Sequence, residues 1–235
     1  MHRRRKNGAT IIELALVLLV IGLLLAGAVL GQNLVTNSQV RQIIAEHDQL
    51  QSAVLGFQDR FRGLPGDYAD ANANIERVQY AGNGNGRVES SAVALGTSGV
   101  SEEDVLVWDH LSKAGFILGT YTFDPLPSVS AVPRNRFGGY IDFAFDATYA
   151  SAAPSAPMRH TLKTGNQIPV DLLAQMDHKI DDGTALAGAL RFSTHARGSV
   201  APLPPGAPGA CVDAAGRWDT TAATLSMNCG AASLL

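Results

Sequence analysis

The chain has 235 residues and a mass of 24.7 kDa, with 46% hydrophobic and 17% charged residues, enough to bury one substantial core. Its formal net charge is -3, but Arg3, Arg4, Arg5 and Lys6 stand together at the N-terminus, so the remainder carries 14 basic against 21 acidic residues. An acidic body excludes a general phosphate-neutralising surface, and nucleic acid is not indicated as a partner.

From Leu14 to Leu30 (LALVLLVIGLLLAGAVL) there is no charged or strongly polar side chain, and Ile11 and Ile12 extend the run upstream across Glu13. A helix of about 20 apolar residues crosses a bilayer, and the basic cluster before it stays on the cytoplasmic side by the positive-inside rule. The rest of the chain is then expected outside. A secretory signal peptide is the competing reading, with Ala26-Gly27-Ala28 as its small-x-small cleavage site. Two features oppose it: a carboxylate at Glu13 is costly in an apolar block unless paired, and the helical pattern continues past Ala28.

Gly8-Ala9-Thr10-Ile11-Ile12-Glu13-Leu14, with bases before it and the apolar run after it, resembles the prepilin cleavage and methylation signature of type IV pilins and type II secretion pseudopilins. The resemblance implies cleavage after Gly8 by a prepilin peptidase, N-methylation of Ala9, and pairing of Glu13 with the N-terminal amine of a neighbouring subunit. Two buried opposite charges would offset each other's desolvation and set the register between helices. The chain departs from the family pattern at Ala9, where phenylalanine is usual, and at Leu30, where a proline often follows a glycine matching Gly22.

Val40, Ile43, His47, Leu50, Val54, Phe57 and Phe61 recur at spacings of three and four, an apolar stripe that predicts one helix from Ala9 to Arg62 with Gly63 as its stop. His47 reads as a core-edge histidine. The segment from Leu64 to Gly99, centred on Gly82-Asn83-Gly84-Asn85-Gly86-Arg87, reads as loop; a tight turn fits better than a calcium loop, which would need aspartates. Leu64-Pro65-Gly66-Asp67 and Trp108-Asp109-His110-Leu111 are similar to segments of larger pilin-like proteins.

Ser101-Glu102-Glu103-Asp104 opens a helix that ends at Gly115, presenting Val105, Trp108 and Leu111 or Ser112 to a sheet. Strands are expected at Tyr121–Phe123, Tyr140–Phe145, Arg159–Lys163 and Leu186–Ser193, with a short helix from Pro169 to about Lys179 and a turn at Asp181-Asp182-Gly183. The fold class is α+β, which the resemblance sharpens to a pilin-like long helix packed on an antiparallel sheet. The expected divisions are a leader (1–8), a membrane or filament-core helix (9–30), its amphipathic continuation (31–62) and a globular head (63–235).

Cys211 and Cys229, the only cysteines, suit an oxidising compartment and are expected to form a disulfide, with buried thiols as the alternative. Six scattered histidines, with no His-Glu-x-x-His, no Gly-x-Ser-x-Gly elbow and no phosphate or dinucleotide loop, leave no catalytic constellation and no expected cofactor. Asp177, Asp181 and Asp182 read first as solvated turn and cap residues; calcium, which C-terminal loops of some pseudopilins bind, is the alternative.

The expected function is therefore structural rather than enzymatic: a subunit of a homo- or hetero-polymeric filament, inserted in a bacterial inner membrane as a precursor and assembled by inner-membrane machinery into a periplasmic or cell-surface fibre. The choice between a type IV pilus and a secretion pseudopilus stays open. An exported soluble binding or enzymatic domain and a membrane-anchored module that never polymerises are the rival classes.

Overall fold

A computed structural model describes residues 10–89, 102–124, 128–153, 155–197, 199–207, 209–221 and 225–235. Its elements are α1 (Ile11–Phe61), α2 (Ala71–Asn74), α3 (Glu103–Lys113), β1 (Asp142–Asp146), β2 (Arg159–Lys163), α4 (Val170–Ile180), β3 (Leu190–Phe192) and β4 (Ala231–Leu234). The chain divides into two compact units, the described residues up to Gln39 and Val40–Leu235, with α1 contributing to both.

In the first unit the stretch Ile11–Ala28 has a mean hydropathy of 2.8 and buries none of its residues, so it is long and apolar enough to cross a membrane. Thr10 starts the helix by accepting the Glu13 N–H on its hydroxyl at 3.3 Å and the Leu14 N–H on its carbonyl at 3.1 Å.

In the second unit the three-four stripe becomes the base of the core. Val40, Ile43, His47, Leu50, Val54 and Phe57 are all buried, and Phe61 packs at the margin. Leu50, Val54 and Phe57 share one cluster with Val105, Trp108 and Leu111 of α3, Phe143 of β1 and Leu162 of β2. Val40 and Ile43 share another with Leu173 and Met176 of α4, Leu190 and Phe192 of β3, and the two cysteines. At about 25 cal/mol per Å² of apolar surface, each such large side chain contributes on the order of 2 kcal/mol.

The sheet has four strands in the order β1-β2-β4-β3, every neighbouring pair antiparallel. The class is thus α+β, as expected. Three expected elements differ from what forms. Tyr121–Phe123 forms no strand, and its N–H groups go to the Ser112 hydroxyl, the Ser130 carbonyl and the Asp109 carboxylate instead. The Leu186–Ser193 strand shrinks to three residues, Leu190–Phe192, since Asp181 Oδ2 takes the N–H groups of Ala189 before it and of Leu190 at its start. The turn that ends α1 falls at Arg62, with φ of 57°, rather than at Gly63. Gly63 serves a different need, because a Cβ there would lie 2.8 Å from the Tyr68 ring.

The sequence also conceals two elements. The single-turn α2 sits within a segment read as loop, and β4 (Ala231–Leu234) is too short and too small in its side chains to show alternation. Yet β4 lies in the middle of the sheet, where β2 and β3 satisfy its backbone from both sides.

Candidate functional site

Chemistry-bearing residues gather at four places. The first is the start of α1, where Glu13 is the one charged residue of the apolar window Ile11–Ala28 and lies exposed in the first helical turn. Ile11 and Ile12 beside it are 88% and 80% exposed. Gly8 and Ala9, the expected processing residues, lie outside the described residues.

The second is a buried charge network in the head. Strand register sets Asp142 opposite Lys163, and Asp146 lies on the same face of β1. Lys163 Nζ donates to Asp142 Oδ2 at 2.9 Å and to Asp146 Oδ2 at 2.6 Å, with the lysine side chain almost wholly enclosed. His195 Nε2 lies 3.4 Å from Asp142 Oδ2, and Arg197 pairs with Asp104 at the start of α3 while approaching Asp142. Burial alone would push Lys163 down, but Asp142 and Asp146 outweigh it and hold the ammonium above its ordinary value. Burial would likewise push Asp142 up, and Lys163 and His195 reverse that and keep it low. A lysine so held is a charge partner and not a nucleophile. His195 and Arg197 lie against Asp142 from a distant segment, and each charge in this buried network has an opposite charge beside it.

The third is a loop held by carboxylates. Asp67 accepts the N–H groups of Asn85 and Gly86 on its two oxygens, and Glu103 accepts those of Asn83 and Glu89. Gly82–Arg87 is therefore a folded turn whose N–H groups find the carboxylates of Asp67 and Glu103, while residues 90–99 of the segment lie outside the described residues. Burial first, then the nearby charges of Asp67 and Glu89, push Glu103 up to about 7 against the pull of its two N–H bonds. Beside it, His110 Nδ1 accepts the Gly66 N–H at 3.0 Å and Nε2 lies 3.0 Å from the Tyr80 carbonyl, which sets the tautomer protonated on Nε2. Burial lowers this histidine to about 4. Gly66 itself has φ of 88°, and a Cβ there would collide with the Glu103 carbonyl at 2.5 Å.

The fourth lies at the end of α4, where Asp177, Asp181 and Asp182 bring carboxylate oxygens within 4.8 Å of one another. The expectation of solvated turn residues holds for exposed Asp182 but not for Asp177, which is fully buried and accepts the Trp218 indole N–H at 2.6 Å. Burial raises its pKa, the Trp218 bond opposes this, and the charges of Asp181 and Asp182 add to the rise. No local signal linked Trp218 to this cluster, because the two are 41 residues apart. Nearby in the same core, Cys211 and Cys229 form a disulfide with a Cα separation of 5.7 Å.

Comparison with protein-family models, curated proteins and solved structures finds no match to this chain.

Proposed function

We propose that this chain is a pilin-like structural subunit of an extracytoplasmic filament, made as a membrane-inserted precursor with its head outside the cytoplasm, cleaved between Gly8 and Ala9 by a prepilin peptidase, and polymerised through the N-terminal half of α1. The observation that carries the reading is one helix with two characters. Its stretch Ile11–Ala28 is exposed and apolar, with the lone carboxylate of Glu13 near its start, and one stripe of its later half, from Val40 to Phe57, is built into the head core. A bilayer covers the first half in the precursor, and the same halves of other subunits cover it in a fibre, so one surface serves both states. Glu13 then pairs with the terminal amine that cleavage creates at Ala9 of a neighbouring subunit, since neither charge is tolerable alone in an apolar bundle. Polymerisation, not catalysis, is the activity.

That α1 continues through Ala28 to Phe61 speaks against a signal peptide cut at Ala26-Gly27-Ala28, which would divide a formed helix. The test is intact mass and N-terminal sequencing of the protein from its native membrane. A mature chain beginning at N-methylated Ala9 is expected, and a chain beginning at Val29 would overturn the proposal.

A further inference from the structure

We infer that Asp67 guards two modification sites, the steps Asn83-Gly84 and Asn85-Gly86, against cyclisation and deamidation, so that chemical ageing at this turn begins only when the turn opens. An asparagine followed by glycine is especially open to this reaction, because glycine has no side chain to shield its amide nitrogen. As that nitrogen gives up its proton it forms a bond to the asparagine Cγ. The proton and the side-chain NH2 leave together as ammonia, and a cyclic imide remains. Water then opens the imide at one carbonyl or the other, giving aspartate or its β-linked isomer.

The turn cannot avoid the liability. Gly84 and Gly86 have φ of 72° and 80°, a region that glycine enters freely, and a Cβ on Gly84 would press on Ala69 at 3.1 Å. Asn83 and Asn85 are needed just before them, since their side-chain oxygens accept the N–H groups of Asn85 and Arg87, both at 2.8 Å.

Buried Asp67 meets both attacking nitrogens. Its carbonyl accepts the Gly84 N–H at 2.8 Å, its Oδ2 accepts the Gly86 N–H at 2.9 Å, and its Oδ1 takes the Asn85 N–H between them. A nitrogen that lost its proton there would set a negative charge against an oxygen of Asp67. The attacked side chains are held as well: Asn85 Nδ2 donates to Glu89 Oε2 at 3.1 Å, the Asn83 N–H donates to Glu103 Oε1 at 2.9 Å, and Asn83 Nδ2 is enclosed. The product is also disfavoured, since an aspartate at either position adds a negative charge beside Asp67, Glu89 and Glu103. Reaction therefore proceeds from the open turn, at a rate scaled by the fraction of time it is open. The added charge, and the extra backbone carbon of the β-linked isomer, then oppose closure, so each reaction records an opening irreversibly. This inference concerns the head alone and stands independently of the filament reading.

The experiment incubates the full chain in detergent at mildly alkaline pH, folded and in guanidinium chloride, and follows amide-to-acid conversion by mass in the tryptic peptide Val78–Arg87, which carries both steps. Hydrogen exchange at the β2 and β4 amides in the same samples shows whether the head stays folded. Conversion in the folded parent is expected to be at least about tenfold slower than in denaturant. Asp67→Asn keeps the shape but removes the charge and one of the two side-chain acceptors, and is expected to raise the native rate at least about fivefold with the sheet amides still protected. If that variant loses the sheet, Asp67→Glu, which keeps the charge and moves the oxygens, is read in its place. The proposal fails if the folded parent converts as fast as the denatured one, or if the folded variant converts no faster than the parent.

Discussion

The two halves of α1 share a helix and little else. From Ile11 to Ala28 the apolar residues run round the whole cylinder and none is buried, whereas from Val40 they narrow to one stripe that is buried to the last residue but one. A helix that is apolar all round needs a solvent or a partner of its own kind, and a helix apolar along one stripe needs only a head to lie against. Composition in the first stretch and period in the second thus give them different requirements: the first is long and apolar enough to cross a membrane, and the second packs one stripe into the head core.

Substitutions should separate the halves, the largest contrast coming from Glu13. Glu13→Ala is expected to abolish filament assembly in cells while membrane insertion and the unfolding temperature of the head stay unchanged; filaments formed at parental yield would remove the account given for this residue. In the other half, Phe57 lies at the centre of an aromatic group with Phe61, Tyr68, His110 and Phe116. Phe57→Ala should cost the head about 3–5 kcal/mol in denaturant unfolding, with membrane insertion unaffected. A loss below about 1 kcal/mol would show that the stripe is not a core element.

The disulfide belongs wholly to the head. Replacing Cys211 and Cys229 together by serine opens a loop with a sequence separation of 18, and should lower head stability by about 3 kcal/mol in the chain-entropy description. Reduction of the parent protein should reproduce the shift, and the doubly substituted chain should no longer respond to reductant.

The smallest effect is on pH dependence. His47 and His110 are both lowered from 6.5 to about 4, chiefly by burial. A depressed folded pKa contributes stability that is present above 6.5 and lost as pH falls through about 4, because the proton must enter a buried ring; for His110 it also breaks the bond from the Gly66 N–H. Glu103 acts in the opposite sense: its folded value, raised from 4.5 to about 7, contributes stability that is complete below 4.5 and lost as pH rises through about 7. Two histidines outweigh one glutamate whose rise is opposed by two N–H bonds, so the Tm of the head should rise between pH 4.5 and 6.5. Glu103→Gln should steepen that rise, and an unchanged slope would place the Glu103 titration elsewhere.

Much of this could be read without coordinates because it rests on local rules. The apolar run, the three-four stripe from Val40 to Phe57, the Pro169 start of α4 and the Arg159–Lys163 strand each follow from neighbours within a few residues. What escaped depended on distant chain. The central strand Ala231–Leu234 exists because β2 and β3 flank it, and Tyr121–Phe123 forms no strand, with N–H groups going to α3 side chains instead. The burial of Asp142 likewise depends on His195 and Arg197, which reach it from a segment more than fifty residues downstream and which no local pattern links to it.

The sequence by itself therefore determined the character of the N-terminal helix, the α+β class and the availability of two cysteines for one bridge, since these need only hydropathy, periodicity and count. Only the tertiary structure decided which acids meet cations, which meet backbone N–H groups and which meet one another. That choice turns on desolvation, a property of the enclosed position rather than of the residue: Asp142, Glu103 and Asp177 are all buried acids, and Lys163, Glu89 and Trp218, which hydrogen-bond to them in turn, lie 21, 14 and 41 residues away.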